Sequence, residues 1–387
     1  MLDALQGNML KALGLLSVVI GGLGLTIWRI KLEIGAAPPV SFLKREYAAV
    51  PYFNGRQFIG PSLFPKVKRT SGRLLKVPKM SPATFFHILL SQSNAPKQVI
   101  SSVKLSKSDF LALDPAITRV YWLGHAAAII ELAGYRIAID PVLDNAAPVA
   151  GLVKRYQPPV ICREQLPSID LVLITHNHYD HLERRTVQAI AKHSPKARFL
   201  VPLGLKITLI RWGISDANII ELAWEASFEV LKGLKVVAEP SAHFSGRGLS
   251  DHNLTAWNSY ALINIATNEK IFWGCDGGYG PHFKAIGQKH QGFNWIALEI
   301  DAWNQRWPYI HLSPEEVLAA TKDLQTKRLM PIHWGVFNLA DHKFSESIEK
   351  LLKLKPAELI IETPKMGELW LPTKDQLDRW WQNATAR

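Results

Sequence analysis

Four side chains that can bind a metal ion fall within six residues of the chain. They are His176, His178, Asp180 and His181, in the pattern His-x-His-x-Asp-His. Because alternate residues of an extended segment point the same way, His176 and His178 are expected to face a common centre, toward which the last two residues of the pattern can turn. Neutral imidazole and carboxylate groups suit zinc and comparable first-row ions. The pattern therefore predicts a metal site.

Three further ligands are predicted downstream, each after an apolar stretch and before a polar or glycine-containing turn. They are His243, Asp276 and His333. Taken singly, each also fits a structural role, since Asp-Gly is a common turn and a histidine after a strand is often structural. Four ligands crowd one ion but do not satisfy two, so a binuclear site would need further ligands at other strand ends, and these three residues could supply them. A purely structural site would instead close four ligands around a single ion.

The elements that must position these residues are short strands and helices that begin near Arg119. The first apolar runs predict hairpin strands, and a buried strand leads directly into the histidine pattern. Hairpins followed by alternating strands and helices predict an α/β fold of packed sheets with helices outside. Strands are predicted over 119–122, 126–132, 135–139, 171–174, 199–201, 219–222, 234–238, 260–265, 271–273 and 295–299, and helices over 182–192 and 314–324.

The composition indicates a large globular protein with an uneven charge. The chain has 387 residues, of which 48% are hydrophobic, and only two cysteines, which excludes a disordered chain and a disulfide framework. Its net charge is +12, and the stretch between Glu46 and Asp109 contains ten basic residues and no acidic residue. Such a stretch is either a solvated arm or a surface for an anionic partner such as a membrane or a nucleic acid.

A long apolar run from Ala12 to Trp28 precedes this basic stretch. Its length of about 17 residues is at the short end for a helix that crosses a hydrocarbon layer of about 30 Å. Two adjacent glycines disfavour a buried helix of a soluble protein. A cleaved signal peptide is the alternative, although the run is longer than the usual apolar part of a signal. We expect an uncleaved anchor, and Arg29 and Lys31 after the run place the main domain in the cytoplasm.

The ordered set of ligands resembles the metallo-β-lactamase superfamily of binuclear metal hydrolases, and the stretch from Val120 to about Asp341 fits it throughout. Within that superfamily the sequence is more closely similar to the N-acyl-phosphatidylethanolamine-hydrolysing phospholipase D family. The segments that carry this closer similarity are Tyr121 to Ala126, His176 to His181, Arg306-Trp307, His311 to Glu316 and Ile332 to Gly335.

The resemblance implies an αββα fold, in which two packed mixed sheets are flanked by helices and the metals lie at the sheet edge. It also implies two zinc ions, with Mn²⁺ or Fe²⁺ as alternatives, and Asp276 as the ligand between them. Two such ions lower the pKa of a bridging water toward about 7, so that the resulting hydroxide can attack phosphorus. The remaining ligands divide into His176, His178 and His243 for one ion and Asp180, His181 and His333 for the other.

The resemblance also assigns catalytic and substrate-binding residues. The predicted catalytic residues are Asp180, Asp276 and His311, of which His311 would stabilise the phosphate or protonate the leaving group. Substrate contacts are predicted for His125, Tyr309 and again His311. Two nearby residues complete these expectations: Asp140 is expected to orient a ligand histidine, and Ile310 stands where the animal enzymes carry a glutamine.

The predicted activity is that of a phospholipase D, which hydrolyses N-acyl-phosphatidylethanolamine-like lipids to N-acylethanolamine and phosphatidic acid. A nuclease or cyclic phosphodiesterase and a lactonase of the same fold are the alternatives. The expected partners are the phospholipid substrate and an anionic membrane surface, near which each Lys or Arg of the basic arm would gain about 1 kcal/mol. We divide the chain into an N-terminal anchor over 1–32, the basic arm over 33–115 and a hydrolase domain over 116–387.

Overall fold

A seven-stranded mixed sheet is built from the first half of the described chain and one late strand. The computed structural model describes residue 17 and residues 21–60, 94–149 and 152–385. The first sheet contains β1 (Arg119–Gly124), β2 (Ala127–Leu132), β3 (Tyr135–Ile139), β4 (Leu171–Leu173), β5 (Arg198–Pro202), β6 (Ile219–Leu222) and β14 (Leu369–Trp370). Its order is β14-β1-β2-β3-β4-β5-β6, antiparallel from β14 to β3 and parallel from β3 to β6.

The second sheet has as many strands as the first and likewise combines a parallel half with an antiparallel half. It contains β7 (Ser227–Leu231), β8 (Leu234–Glu239), β9 (Ser259–Asn264), β10 (Glu269–Trp273), β11 (Trp295–Glu299), β12 (Arg328–Ile332) and β13 (Ile360–Ile361). Its order is β13-β12-β11-β10-β9-β8-β7, parallel from β13 to β10 and antiparallel from β10 to β7.

Eight α-helices accompany the sheets in the described residues. The helix at residues 314–323 shows how the sequence sets a helix start: Ser313 and Glu316 form a reciprocal capping box, and Pro314 occupies the first turn. The helices are α1 (residues 21–34), α2 (Val40–Tyr47), α3 (Arg184–His193), α4 (Lys206–Arg211), α5 (His282–His290), α6 (Pro314–Asp323), α7 (Glu346–Leu354) and α8 (Gln382–Thr385). Single 3₁₀ turns occupy Lys107–Asp109, Arg163–Gln165 and Asp216–Asn218.

The two sheets pack face to face around one hydrophobic core. This core contains strand residues from both sheets. The indole rings of Trp295 on β11 and Trp370 on β14 meet edge to face, with ring centroids 5.0 Å apart. The hydroxyl of Tyr260 on β9 donates a hydrogen bond to the carbonyl oxygen of Ile174, which follows β4, at 2.7 Å. The predicted architecture of two mixed sheets flanked by helices is thus confirmed.

Most predicted strands are present, with differences at the element ends and sheet edges. The strands β3, β6 and β11 have the predicted bounds, whereas the helix expected from residue 182 begins at Arg184. The edge strand β7 was not predicted: Phe228 and Val230 alternate with Ser227 and Glu229, but the run is only five residues long and its first three residues are exposed. The two-residue strands β13 and β14 are too short to leave a periodic signal.

The N-terminal predictions lie partly outside the described residues. This applies to residues 1–16 and 18–20 of the expected anchor and to residues 61–93 of the basic arm. Within the described part of α1, residues 21–29 are all exposed. Across the ranges that the structure describes, none of the helices combines the length and apolarity needed to cross a bilayer. The anchor helix therefore stays a prediction.

Part of the predicted basic arm packs on the domain that follows it. Tyr47 on α2 and Phe58 are buried in a small hydrophobic cluster that includes Leu203 and Trp257. The Tyr47 hydroxyl also donates a hydrogen bond to Oε2 of Glu221 at 2.6 Å. Residues 40–60 are therefore anchored to the α/β domain through buried aromatic side chains.

Candidate active site

The predicted metal ligands meet where several strands end. The strands β8, β10 and β12 run in one direction, so their carboxyl ends lie along one edge of the second sheet. Polar groups at such an edge are well placed to bind ligands in common, as in other α/β sheets. The histidine pattern follows β4 of the first sheet, and the structure brings all seven predicted ligands into contiguous groups: His176, His178, Asp180, His181, His243, Asp276 and His333.

The first group contains His176, His178 and His243. Nε2 of His176 lies 2.8 Å from Nδ1 of His178, and Nε2 of His243 lies 3.3 Å from the same atom. Burial lowers the pKa of His178 to about 4 and the pKa values of His176 and His243 well below the usual range. Three neutral imidazoles with converging nitrogens form a ligand set suited to a divalent ion.

The second group contains Asp180, His181 and His333. Oδ2 of Asp180 lies 3.4 Å from Nε2 of His181 and 3.5 Å from Nε2 of His333. Burial by itself would lower the pKa of His333, but Asp276 and the neighbouring carboxylates of Asp180 and Glu299 together outweigh it and raise this pKa to about 10. The balance of charge in this group therefore depends on the carboxylates that face it.

Asp276 lies between the two groups. Its Oδ2 atom is 2.9 Å from Nε2 of His333, 3.1 Å from Nε2 of His181 and 3.9 Å from Nε2 of His243. Burial would raise the pKa of Asp276, but the charges of His181 and His333 hold it well below its usual range. One carboxylate thus reaches histidines of both groups, as a ligand between two ions must.

Two buried nitrogen atoms indicate that this cluster suits a metal. Nε2 of His181 and Nε2 of His333 are close to carboxylate oxygens but, within the described chain, no hydrogen bond of acceptable geometry satisfies them. Buried polar atoms are ordinarily hydrogen-bonded, and a coordinated ion satisfies an imidazole nitrogen equally well. The histidine and aspartate cluster therefore fits metal ions, and zinc remains the ion that the sequence predicts.

Asp140 contacts one of the predicted ligand histidines, His181. Its Oδ2 atom lies 2.8 Å from Nδ1 of His181. Thr175 fixes the carboxylate in turn, since its backbone N–H donates to Oδ1 at 2.8 Å and its hydroxyl to Oδ2 at 2.6 Å. Such a carboxylate selects the ring orientation and tautomer of a ligand histidine. The contact expected for Asp140 is confirmed.

His125 contacts the second group. Its Nε2 atom is 2.9 Å from Oδ2 of Asp180, and its ring centroid is 3.9 Å from that of His333. The backbone N–H of His333 donates a hydrogen bond to the carbonyl of His125 at 3.0 Å. Both residues have left-handed backbone conformations, with φ of 55° and 68°, which cost of order 1–3 kcal/mol each and cluster at functional sites. A substrate contact of His125 stays a prediction.

His311 lies beside both groups and is held by a carboxylate that sequence reasoning missed. Nδ1 of His311 is 2.5 Å from Oε2 of Glu299, whose Oε1 accepts the N–H of Gly277 at 2.7 Å. Burial would lower the pKa of His311, but the charge of Glu299, its hydrogen bond to the ring and the charge of Asp276 together outweigh burial and raise this pKa. Glu299 is the last residue of the fully buried strand β11, and a charged residue that closes such a strand is the signal that could have revealed it.

Tyr309 belongs to the loop that carries His311. Its φ is 75°, and its backbone packs tightly on Gly278, where an added Cβ atom would lie 2.3 Å from the Tyr309 carbonyl oxygen. The next carbonyl, that of Ile310, lies 3.3 Å from Nδ1 of His243. Glycine at 278 therefore allows the loop to approach the Asp276 segment. The predicted contact of Tyr309 with substrate is not tested by these distances and stays a prediction.

Two tryptophans near the C-terminus, Trp380 and Trp381, pack against Trp334, the residue after His333. Trp380 and Trp381 are 1% and 0% exposed. The ring of Trp380 stacks on that of Trp334 at a centroid distance of 4.7 Å, and Trp381 meets Trp334 edge to face at 5.3 Å. Both residues, whose role the sequence left open, are thus packed in the core.

The comparisons with known proteins agree with this geometry. A family model described as a beta-lactamase superfamily domain matches residues 135–334. An uncharacterized protein of Mycobacterium tuberculosis is 38% identical over 287 residues, which cover 72% of this chain and 76% of that protein. A Caenorhabditis elegans protein named N-acyl-phosphatidylethanolamine-hydrolyzing phospholipase D 1 is 33% identical over 266 residues, which cover 64% of this chain and 74% of the relative. The structure of an isothiocyanate hydrolase from Delia radicum gut bacteria shares the fold, with a TM-score of 0.52 and 21% identity over 65% of this chain and 98% of that one.

Two mixed sheets with a histidine and aspartate cluster at their edge define the class of this protein, a metal-dependent hydrolase of the metallo-β-lactamase fold. The family model covers more than half of the chain, and both relatives match most of their own length. The chain belongs to the beta-lactamase superfamily and, within it, to the family of the N-acyl-phosphatidylethanolamine-hydrolyzing phospholipases D. The family predicted from the motifs is confirmed.

Proposed function

We propose that this protein is a binuclear-metal phosphodiesterase of phospholipase D type. Its substrate would be an N-acyl-phosphatidylethanolamine-like lipid, and its products N-acylethanolamine and phosphatidic acid. The observation that carries the proposal is the position of Asp276, whose Oδ2 atom lies within 3.9 Å of histidines in both ligand groups. The name of the Caenorhabditis elegans relative supports this choice of substrate.

The seven proposed ligands divide as the resemblance implies. His176, His178 and His243 would hold one ion, and Asp180, His181 and His333 the other, with Asp276 between them. When bound, two divalent ions supply an activated water at neutral pH and electrostatic stabilisation of the phosphoryl oxygens. No side-chain nucleophile is then required, and Cys275 beside Asp276 is buried, which raises the pKa of its thiol well above the usual value.

His311 is the proposed proton donor to the leaving alcohol. Its ring centroid lies 5.4 Å from that of His243 and 5.3 Å from that of His333, so the ring borders both groups. Because Nδ1 is directed to Glu299, Nε2 is the ring nitrogen directed away from that carboxylate. Glu299 favours the protonated imidazolium, which is the form that a general acid needs.

We further propose that the enzyme works at an anionic membrane surface. Four large apolar side chains of α1 are well exposed: Leu23, Leu25, Ile27 and Trp28. An exposed apolar helix next to a stretch with ten basic residues and no acidic ones is typical of attachment to anionic lipid. In this proposal the N-terminal segment holds the protein on the membrane and the hydrolase domain lies on the cytoplasmic side.

One panel of substrates tests the function. The full chain would be assayed, with and without chelator, on N-acyl-phosphatidylethanolamine, ordinary phosphatidylethanolamine, a cyclic nucleotide, RNA and an acyl lactone. We expect chelator-sensitive release of N-acylethanolamine that exceeds turnover of the other compounds. Preferred cleavage of RNA or the cyclic nucleotide would instead support the nuclease or cyclic phosphodiesterase alternative, and preferred opening of the lactone the lactonase.

A further inference from the structure

Arg247 is a buried cation that contacts the backbone of the proposed metal-binding loop, residues 176–182. It lies between β8 and β9 and is 7% exposed. Its Nη1 atom donates hydrogen bonds to the carbonyl oxygens of Asn177 and Leu182, each at 2.8 Å, and lies 3.4 Å from the carbonyl of His178. These carbonyls lie within or directly after the segment 176–181, which carries four of the seven proposed ligands.

The same guanidinium also contacts the end of α1. Its Nε and Nη2 atoms donate to the carbonyl oxygen of Glu33 at 3.2 and 2.8 Å. The last four carbonyls of a helix have no partner within the helix and carry its partial negative charge. A buried cation that satisfies one of them therefore stabilises the helix end where it lies against the loop.

Arginine suits this position because of its shape. A guanidinium offers five N–H donors in a rigid plane, whereas a lysine ammonium offers three donors from a single point. The plane of Arg247 also lies over the ring of Tyr179, with 3.9 Å between the guanidinium carbon and the ring centroid. Tyr179 in turn donates its hydroxyl to the carbonyl of Arg247 at 2.9 Å.

Neighbouring hydrogen bonds fix both sides of this contact. Oδ2 of Asp251 accepts the backbone N–H of Arg247 at 2.9 Å, which holds the arginine loop in place. On the helix side, Trp212 donates its indole N–H to the carbonyl of Leu32 at 2.8 Å. The guanidinium of Arg184 binds the carboxylate of Glu33 at 2.6 Å, and its other hydrogen bond among the described residues goes to the side chain of Gln188 instead of a carbonyl of segment 176–182.

We propose that Arg247 is a positioning residue for the metal centre, which holds the backbone of residues 177–182 and couples this loop to the carboxyl-terminal end of α1. The inference rests on the proposed metal-binding role of His176, His178, Asp180 and His181. A displacement of α1 at a lipid surface would thereby be transmitted to the backbone of the ligand loop through the Arg247 guanidinium.

The test compares three variants of the full chain in detergent micelles: Arg247→Met, Arg247→Lys and the control Arg184→Gln. Zinc affinity would be measured by competition with a chromophoric chelator. We expect Arg247→Met to weaken zinc binding about 10–100-fold, as for other residues that orient ligands. Arg247→Lys should fall between this variant and the native chain, and Arg184→Gln should bind zinc as the native chain does.

Hydrogen exchange measured by mass spectrometry tests the coupling itself. Zinc should slow amide exchange in residues 176–183 and also in residues 31–36 of the native chain and of Arg184→Gln. In Arg247→Met, zinc should no longer slow exchange in residues 31–36. A general loss of stability would instead change exchange in many segments. If circular dichroism shows that Arg247→Met does not fold, the same measurements are made on Arg247→Lys.

Two results would overturn the inference, and a different one would overturn the function. Native zinc affinity in the folded Arg247 variants would remove the positioning role, and native protection of residues 31–36 would remove the coupling. A native chain that binds no zinc would instead contradict the proposed metal centre.

Discussion

Oδ2 of Asp140 lies 2.8 Å from Nδ1 of His181, and both side chains are at most 1% exposed. Asp140 follows β3 directly, whereas His181 lies in the loop after β4, so two neighbouring parallel strands supply the pair. The contact leaves Nε2 of His181 as the nitrogen that faces Asp276, at 3.1 Å. The identity of residue 140 thus controls which nitrogen of a proposed ligand carries the proton.

Replacing Asp140 by Asn should weaken metal binding without unfolding the protein. The amide keeps the size of the carboxylate but removes the charge that favours the N–H tautomer at Nδ1. Removing such partners costs about 10–100-fold in metal affinity, which chelator competition would measure. Asp144→Asn is the matched control, because this half-exposed carboxylate is paired with Arg163. Equal affinities of the two variants would show that Asp140 does not orient His181.

Replacing Asp276 by Asn should abolish hydrolysis while the fold is kept. The carboxylate lies between His181 and His333, and we expect the loss of this charge to lower kcat by about a thousandfold or more, since ion-based stabilisation contributes several kcal/mol. The assay is release of N-acylethanolamine, with circular dichroism as the check of folding. Asp323→Asn, which alters a carboxylate paired with Tyr279, should remain active. Full activity of Asp276→Asn would exclude the proposed role.

Replacing His311 by Gln should lower kcat with little change in metal content. The ring contacts Glu299 instead of a proposed ligand carboxylate, so the ligand groups are expected to keep their ions. Loss of a general acid typically costs about 10²–10⁴-fold in rate. Steady-state kinetics and elemental analysis of the same sample check both parts. A variant with native kcat would leave His311 without a part in proton transfer, and one that loses its metal would indicate a structural role.

His282 predicts a loss of stability in acid that is separate from the metal centre. Among the described residues neither ring nitrogen of this buried histidine has a hydrogen-bond partner, and burial lowers its pKa to about 4. The folded state therefore binds this proton less tightly than the unfolded chain does. The stability that the neutral ring contributes is complete above about pH 6.5 and is lost as the pH falls toward 4, by up to about 3 kcal/mol.

The variant His282→Phe tests this linkage. Its free energy of unfolding in urea should fall less than that of the native chain between pH 7.5 and pH 5. The exposed His193 provides the control, and His193→Phe should follow the native pH dependence. Parallel curves for the native chain and His282→Phe would mean that this histidine does not contribute to the loss of stability in acid.

Removing residues 1–30 should weaken attachment to membranes. The deletion takes away the exposed apolar side chains Leu23, Leu25, Ile27 and Trp28 but keeps Glu33, the partner of Arg247. Sedimentation with vesicles of phosphatidylcholine, with and without phosphatidylserine, would measure binding. The full chain should bind both and prefer the anionic vesicles. Unchanged sedimentation of the shortened chain would show that the apolar segment is not the anchor.

The sequence by itself determined the family, the fold class and the set of proposed ligands. His176, His178, Asp180 and His181 lie within one short segment, and the motif around each remaining ligand could be read locally because each follows an apolar strand. Local spacing carries this information since alternate residues of a strand share a face and strand ends expose polar groups.

Only the tertiary structure decided which partners hold these residues. Glu299 contacts His311, and Arg247 contacts Glu33 across 214 positions of sequence, and neither pair has a local pattern that reveals it. The assignment of Trp380 and Trp381 to the core likewise depends on Trp334. Contacts between distant segments are set by how two sheets and their loops pack in three dimensions, whereas periodicity reports only the face on which a side chain lies.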